Sequence, residues 1–335
     1  MEKDFIAALE QRLQTPKKTV IIPHKNPDGD ALGSTLAWMH FLQNENHEAL
    51  IISPNDYPKF LNWMPGQEQI LIYNQKKELA EKKIEEADLI FTLDFNALSR
   101  IDALGFLVSA SKAEKVMIDH HESPEDYAEL MYSDPQMSST CEMIYRLITE
   151  LNSRGFSPEI ASCLYTGIMT DTGSFRYPST TAETHKAIAQ LVESGADGTA
   201  IHQNIYDSSS FNRLKLLGIA LSNLNQIESL PIVYITLTQA ELNSCEYQKG
   251  DTEGFVNYGL SLEGVQFACI MIENEKEGKI KMSFRSKGSF SVDEFARTYF
   301  EGGGHHNAAG GMSKDSMNQT VQRFKTAVAE ITNQF

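Results

Sequence analysis

Short hydrophobic runs alternate with helix-length segments over the first 120 residues of the chain. The runs are Lys18–Pro23, Glu48–Ser53, Gln69–Tyr73, Ala87–Leu93 and Glu114–Ile118, and helices are expected from Ala31 to about Leu42 and over residues 76–86. Short strands separated by helix-length segments are typical of a mostly parallel sheet with right-handed crossovers. We therefore predict an α/β domain whose sheet is flanked by helices.

The remainder of the chain predicts a helical stretch, a connector and a second domain. From Ser138 to about Ser194 the pattern is helical, and Ser157-Pro158-Glu159 has the residues of a helix start. A strand over Ile232–Leu237, a hairpin of Val265–Glu273 with Lys279–Phe284, and helices over Ser291–Tyr299 and from Met317 to about Ile331 follow. We predict a domain over residues 1–195, a helical connector over 196–230 and a smaller mixed α/β domain over 231–335.

The chain length and cysteine content fit this division into two domains. With 335 residues, each domain is long enough to bury its own core. No apolar run approaches the roughly 18–20 residues that cross a bilayer, and the acidic start lacks the features of a signal peptide. The four cysteines form no C-x-x-C pair, so we expect buried free thiols and a cytoplasmic location.

The formal charge of −16 limits the kind of partner that the chain can bind. Residues 231–335 carry 10 basic and 13 acidic residues, a net of −3, which leaves 19 basic and 32 acidic residues, a net of −13, in residues 1–230. A protein that grips long nucleic acid needs a basic face. The charge argues against such a face and indicates a local reason for the acidity of the first domain.

Acids and histidines follow three predicted strands of the first domain. They are His24, Asp28 and Asp30 after the first strand, Asp94 after the strand that ends at Leu93, and Asp119-His120-His121 after Ile118, with Asp171 at the end of a helical run as a fourth candidate. The carboxyl ends of parallel strands share one edge of a sheet, where ligands bind. Each group alone has an ordinary interpretation, such as a helix cap or a solvated histidine pair. Together they predict a metal site.

The donor types indicate which metal ions the site would take. Carboxylates and imidazoles without thiolate suit hard-to-borderline divalent cations such as Mn²⁺ or Mg²⁺, and the number of donors exceeds the needs of one ion. Two such ions that share a carboxylate are a device for hydrolysing phosphate esters, by in-line attack of a hydroxide that bridges them. The first domain is therefore predicted to be a two-metal hydrolase.

These motifs resemble those of a known family. The segment from His24 to Ala31, Asp94, Asp119-His120-His121 and Asp171-Thr172-Gly173 are similar to the four motifs of DHH-family phosphoesterases. Ser283-Phe284-Arg285-Ser286 and the segment from Gly302 to Gly311 resemble the DHHA1 domain. The combination is similar to the nanoRNase A type, which implies hydrolysis of very short oligoribonucleotides and of 3′-phosphoadenosine 5′-phosphate (pAp).

The resemblance also implies roles for individual residues of the first domain. It implies one metal ion on His24, Asp28 and Asp94, and a second on Asp30, Asp94, His120 and Asp171, with Mn²⁺ expected and Mg²⁺ or Co²⁺ as alternatives. Asp119 would orient a ligating imidazole through its second N–H. His121 would lie beside the attacked phosphate as a charge stabiliser or proton donor. Asn26 and Arg100 are further candidates, for orienting the metal loop and for phosphate or structural pairing.

The second domain would supply substrate recognition. Three consecutive glycines let a backbone approach an anion closely, so Gly303 and Gly304 are predicted to cradle a phosphate. His305, Arg285 and Ser286 would add side-chain donors. His306-Asn307 departs from the family pattern, which often has proline or another small residue there.

The residues leave several alternatives open. Within the same chemistry, the chain could be a phosphodiesterase for linear or cyclic dinucleotides, a dedicated pAp phosphatase, or an exopolyphosphatase or pyrophosphatase. A non-catalytic metal- or nucleotide-binding regulator is the alternative from another class. We expect short RNA or nucleotide bisphosphates as substrates, no long nucleic acid and no membrane, and either a monomer or a homodimer.

Overall fold

The computed structural model describes residues 2–151 and 155–335, which form two compact units divided between Ser208 and Ser209. Residues 152–154 of the predicted helical stretch lie outside the described residues. The boundary falls inside the predicted connector, so that a helix over Gly198–Tyr206 belongs to the first unit and one over Phe211–Ser222 to the second.

The first unit combines a parallel sheet with helices on both faces. Its strands are β1 (Lys18–Pro23), β2 (Glu48–Ser53), β3 (Leu71–Ile72), β4 (Leu89–Leu93), β5 (Glu114–Asp119) and β6 (Leu130–Ser133). Its helices are α1 (Glu2–Arg12), α2 (Gly29–Asn44), α3 (Lys77–Glu85), α4 (Ala103–Ala110), α5 (Thr140–Leu151), α6 (Pro158–Asp171), α7 (Ala182–Glu193) and α8 (Gly198–Tyr206). The strand order is β3-β2-β1-β4-β5-β6, and every neighbouring pair is parallel. The predicted α/β class is confirmed.

Alternate residues of the central strands enter two separate cores. Ile21 and Phe91 pack with apolar residues of α1, α2, α5 and α6 on one face of the sheet. Ile22 and Ile90 pack with those of α3 and α4 on the other face. Because both faces are covered, the strands are mostly apolar, as is typical of parallel sheets.

The second unit contains a mixed sheet. Its strands are β7 (Leu224–Gln226), β8 (Ile232–Leu237), β9 (Phe267–Asn274), β10 (Lys279–Ser286), β11 (Gly303–His305) and β12 (Ala308–Ser313). Its helices are α9 (Phe211–Ser222), α10 (Gln239–Ser244), α11 (Phe255–Leu260), α12 (Val292–Tyr299) and α13 (Met317–Glu330). The order is β11-β12-β10-β9-β8-β7, in which β8 and β9 are parallel and the other pairs antiparallel.

The structure departs from the sequence-based assignment at several short strands. The run Gln69–Tyr73 forms a strand only at Leu71–Ile72, and β6, β7, β11 and β12 were not predicted. The four cysteines are buried free thiols, as expected. Among the described residues, no helix combines the length and apolarity that a membrane crossing requires.

Candidate active site

The acidic and histidine residues of the first unit lie where the strand order of the sheet reverses. The chain runs outward from β1 through β2 to β3, and then returns so that β4 pairs with the other side of β1. In open α/β sheets this reversal leaves a crevice at the carboxyl ends of the two central strands. His24 follows β1 and Asp94 follows β4, so these two residues lie at the crevice.

His24, Asp28 and Asp94 form the first cluster of potential ligands, which we call cluster A. Nε2 of His24 lies 3.5 Å from Oδ2 of Asp94 and 3.9 Å from Oδ1 of Asp28. Asp28 also caps α2, because its Oδ1 accepts hydrogen bonds from the amides of Asp30 and Ala31. Nδ1 of His24 donates to the carbonyl of Lys25 at 2.8 Å, which orients Nε2 toward the carboxylates.

Asp30, His120 and Asp171 form the second cluster, cluster B. Nε2 of His120 lies 3.5 Å from Oδ2 of Asp171, 3.8 Å from Oδ2 of Asp30 and 3.6 Å from Oδ1 of Asp94. Nδ1 of His120 donates to the carbonyl of Met137 at 3.2 Å. Both histidines therefore have their second nitrogen bonded to the backbone, as metal-ligating histidines commonly do.

Asp94 connects the two clusters. Its Oδ2 faces His24 of cluster A and its Oδ1 faces His120 of cluster B. Its backbone has a φ of +67°, a left-handed conformation that is unfavourable for a residue with a side chain. Its amide donates to the carbonyl of Ile118, so the chain turns at this residue while remaining bonded to β5.

Asp119 is the last residue of β5, and its carboxylate accepts hydrogen bonds from His121. Its Oδ1 lies 2.7 Å from Nδ1 of His121, and its Oδ2 accepts the amide of the same residue. Asp119 is fully buried and His121 is nearly so. The family resemblance implies that Asp119 orients a ligating imidazole, whereas the imidazole that it contacts is that of His121, the residue expected beside the phosphate.

The electrostatics of the clusters follow from burying several carboxylates together. Burial raises the pKa of Asp94 well above its usual range, and the carboxylates of Asp30 and Asp28 raise it further. Burial alone would lower the pKa of His120, but the carboxylates around it, chiefly that of Asp171, raise it to about 9. The clusters thus hold more negative charge than their histidines neutralise, which favours binding of cations or protons.

Two segments beside these residues are held by hydrogen bonds between distant parts of the chain. One contains Asn26, the candidate for orienting the metal loop, and the other contains Thr140, which the sequence motifs do not indicate. Asn26 has a φ of +56°, and it exchanges two hydrogen bonds with Asn55: its amide donates to Oδ1 of Asn55, whose Nδ2 donates to Oδ1 of Asn26. Thr140 donates from its amide to Asp30 and from its hydroxyl to Asp94. Neither contact has a local sequence signal, because the partners are distant in the chain.

Arg100 is placed at the edge of the same crevice. Its carbonyl accepts the amide of Lys25 at 2.9 Å, which ties the segment after β1 to the segment after β4. Together with burial and His120, its positive charge lowers the pKa of His121. Arg100 thus makes a structural contact through its backbone, and a contact of its side chain with phosphate stays a prediction.

In the second unit, Arg285 and His305 lie on one face of the sheet. Arg285 of β10 and His305 of β11 both pair with Ala308 of the intervening β12, so the three residues form one row. The neighbouring row is Ser283, Gly310 and Gly303. This face therefore has small residues between two side chains that can donate hydrogen bonds to an anion.

The glycines of this region form a strand, not a loop. Gly304 pairs with Ala309, and a Cβ on Gly304 would lie 2.5 Å from the carbonyl oxygen of Ala308. The amide of Gly304 donates to the buried carboxylate of Asp293 at 2.6 Å, and Arg297 donates to the same carboxylate. Close approach of two strands thus requires glycine here, and Asp293 already engages the Gly304 amide.

Ser286, at the end of β10, and Asn307, in the turn between β11 and β12, are joined by a hydrogen bond. The hydroxyl of Ser286 donates to the carbonyl of Phe290, and Nδ2 of Asn307 donates to that hydroxyl at 2.8 Å and to the carbonyl of Gly288. The departure at His306-Asn307 therefore has a structural account, since Asn307 supplies these bonds.

Comparisons with known proteins identify the family of the chain. The model of the DHH family, N-terminal domain, matches residues 18–168, and that of the DHHA1 domain matches residues 234–334. The chain belongs to the DHH family of phosphoesterases, and the resemblance seen in its motifs is confirmed.

Three similar proteins have informative names. A bifunctional oligoribonuclease and PAP phosphatase, NrnA, of Thermus thermophilus is 30% identical over 92% of this chain and 89% of its own. A cyclic-di-AMP phosphodiesterase, GdpP, of Geobacillus thermodenitrificans is 27% identical over 96% of this chain but only 48% of its own. The crystal structure of an exopolyphosphatase-related protein from Bacteroides fragilis superposes with a TM-score of 0.94 at 41% identity, covering 99% of this chain and 97% of that one.

Proposed function

We propose that the protein is a metal-dependent phosphoesterase that hydrolyses very short oligoribonucleotides to mononucleotides and pAp to AMP. The observation that carries this proposal is the position of Asp94, whose two oxygens face two separate clusters of carboxylates and imidazoles. A carboxylate that faces both clusters would hold two cations close together, as in two-metal sites that hydrolyse phosphate esters.

The donor set of both clusters fits divalent cations. The distances of 3.5–3.9 Å between imidazole nitrogen and carboxylate oxygen are longer than the donor–acceptor distance of a hydrogen bond. They are close to the roughly 3–3.5 Å that separates two ligands of one cation when each lies about 2.1 Å from it. Cluster A would hold one ion, and cluster B together with Asp94 would hold the other, Mn²⁺ being the expected metal. When bound, these ions would supply Lewis-acid activation of the phosphoryl group and of water.

His121, oriented by Asp119, would transfer a proton in the reaction. Burial and the neighbouring His120 lower the pKa of His121, so its imidazole is neutral at pH 7. The hydrogen bond to Asp119 keeps the proton on Nδ1 and leaves Nε2 as the acceptor. Nε2 would take up a proton and give it to the leaving oxygen of the substrate, on the side of the phosphate opposite to the attacking oxygen.

The second unit would bind the part of the substrate that does not react. Arg285 and His305 flank the small-residue face of β10, β12 and β11, where the planar base of a ribonucleotide or a terminal phosphate would lie. Arginine suits bidentate contact with phosphate. The net charge of −16 favours short over long polyanions, in agreement with the activity named for the relative from T. thermophilus.

Hydrolysis of cyclic or linear dinucleotides is the second candidate. The observation that favours it is the similarity to GdpP, which extends over nearly all of this chain. The same two clusters would serve that reaction, since it also hydrolyses a phosphodiester.

A substrate comparison tests the proposal. The metal-stripped protein, and the same protein supplied with Mn²⁺, would be incubated with pAp, the linear dinucleotide pApA, cyclic di-AMP, RNA of increasing length, and polyphosphate. We expect turnover only with Mn²⁺, the highest rates on pAp and pApA, and a decline as the RNA lengthens. Turnover of cyclic di-AMP or pApA without turnover of pAp and of longer RNA would favour the second candidate, and absence of turnover on every nucleotide would refute the proposal.

A further inference from the structure

One loop contacts residues of both candidate metal clusters. The segment from Met137 to Cys141 contains the end of the connection between β6 and α5 and the first two residues of α5. Its Met137 carbonyl accepts from His120, and the amides of Thr140 and Cys141 donate to the two oxygens of Asp30 at 2.7 and 2.8 Å. The hydroxyl of Thr140 donates to Oδ1 of Asp94 at 3.0 Å. This loop therefore holds candidate ligands that follow three different strands.

The hydroxyl of Thr140 is not used to cap its own helix. A threonine at the start of a helix ordinarily accepts a hydrogen bond from an amide of the first turn. In α5 this role belongs to Ser139, whose hydroxyl accepts the amide of Glu142 at 3.0 Å. Thr140 is fully buried, and its amide is fixed by Asp30, so its side chain has a defined position beside Asp94.

The contact bears directly on how Asp94 is oriented. Rotation of an aspartate carboxylate about its terminal torsion is broad and weakly restrained. Oδ1, which accepts from Thr140, faces His120 of cluster B, and this leaves Oδ2 toward His24 of cluster A. This hydrogen bond therefore restrains the plane of the carboxylate, with one oxygen toward each cluster.

We propose that Thr140 is a positioning residue that acts through Asp94, holding its carboxylate so that one oxygen serves each metal ion. This inference rests on the two-metal site of the proposed function. Outer partners of metal ligands commonly influence affinity as well as activity, so Thr140 should affect how tightly and in what arrangement the chain binds Mn²⁺.

The experiment compares Mn²⁺ binding by the full-length chain and its variants, using calorimetric titration and electron paramagnetic resonance. Thr140→Val removes the hydroxyl with little change in shape, and Thr140→Ser keeps it. Ser139→Ala removes the cap of α5 but leaves the hydroxyl of Thr140. Thr320→Val removes an equally buried threonine hydroxyl from the second unit, where it donates to Ser313.

Thr140→Val should weaken Mn²⁺ binding about 10- to 100-fold and abolish the exchange-coupled signal of two ions sharing a carboxylate, while Thr140→Ser stays within about threefold of the wild type. Ser139→Ala and Thr320→Val should retain the wild-type affinity and spectrum. Thr140→Ala replaces Thr140→Val if the latter does not fold.

Two results would overturn the inference. One is wild-type affinity and spectrum in a folded Thr140→Val. The other is an equal loss in Ser139→Ala, which would mean that only the stability of α5 matters. Failure of the proposed function is distinguishable, because a wild type that binds two coupled Mn²⁺ ions but hydrolyses no phosphoester leaves these binding comparisons intact.

Discussion

Asp119 and His121 form a buried pair in which the carboxylate lies 2.7 Å from Nδ1 of the imidazole. The carboxylate fixes both the orientation and the tautomer of His121. Asp119→Asn places an amide there that can present its NH₂ group instead, and His121→Ala removes the proton acceptor altogether. General acid–base groups contribute about 10²- to 10⁴-fold to rates, so both variants should lose kcat within that range.

The control for this pair is metal binding. Because the role proposed for His121 is proton transfer, His121→Ala should bind Mn²⁺ within about threefold of the wild type, which is less than the loss of a ligand causes. Calorimetric titration beside steady-state kinetics separates the two effects. A His121→Ala variant with wild-type kcat would show that another group carries the proton.

Metal binding should release protons. In the absence of metal, the carboxylates around His120 raise its pKa to about 9, and burial together with neighbouring acids raises the pKa of Asp94. Ligands must lose their protons before they bind a cation, so Mn²⁺ affinity should rise with pH from about 6 to 9. Calorimetry in buffers of different ionisation enthalpy at pH 7 should register at least one proton released per chain, and a buffer-independent heat would contradict the charge balance described here.

The central strands and the convergence of their ends could be predicted from sequence. Strands that are buried on both faces are continuous apolar runs, which are easily recognised in a sequence. An acid or histidine directly after such a run must lie at the carboxyl edge of the parallel sheet. Hence His24, Asp94 and Asp119 could be assigned to one edge. The order of the strands, which puts β1 beside β4, came only from the structure.

The Gly-rich hairpin could not be predicted, because its residues disfavour strands. Glycine and alanine have low β-propensity, so Gly303–His305 and Ala308–Ser313 indicate a loop when read locally. Pairing with β10 overrides that preference. Thr140 was missed for a related reason, since its contact with Asp94 spans 46 positions of the chain.

Gly304 gives a direct test of the hairpin. A methyl group at Gly304 would meet the carbonyl oxygen of Ala308, so Gly304→Ala should destabilise the fold by about 1–3 kcal/mol, the usual cost of overpacking. Gly218 is the matched control, because it is exposed on α9 and a Cβ there meets nothing within 4 Å. Gly218→Ala should stabilise by up to about 1 kcal/mol through helix propensity. Urea unfolding measures both, and equal stability of the two variants would argue against the close strand approach.

His47 gives a prediction on the pH dependence of stability. Its Nδ1 accepts the amide of Lys17, and burial lowers its pKa. The folded state therefore keeps His47 neutral while the unfolded chain, with a pKa of about 6.5, takes up a proton, so stability falls as the pH drops below that value. His47→Gln should lose less unfolding free energy than the wild type between about pH 7.5 and pH 5. Parallel slopes in urea titrations would contradict this assignment.

The number of Mn²⁺ ions bound per chain, measured by calorimetric titration of the wild type and of Asp94→Asn, tests the central claim most directly. We predict two ions in the wild type. In the folded Asp94→Asn variant we predict the loss of at least one ion or a weakening of at least about 100-fold, because the carboxylate shared by both clusters is gone. Binding of fewer than two ions by the wild type, or two ions with unchanged affinity in Asp94→Asn, would contradict a two-metal site joined by Asp94.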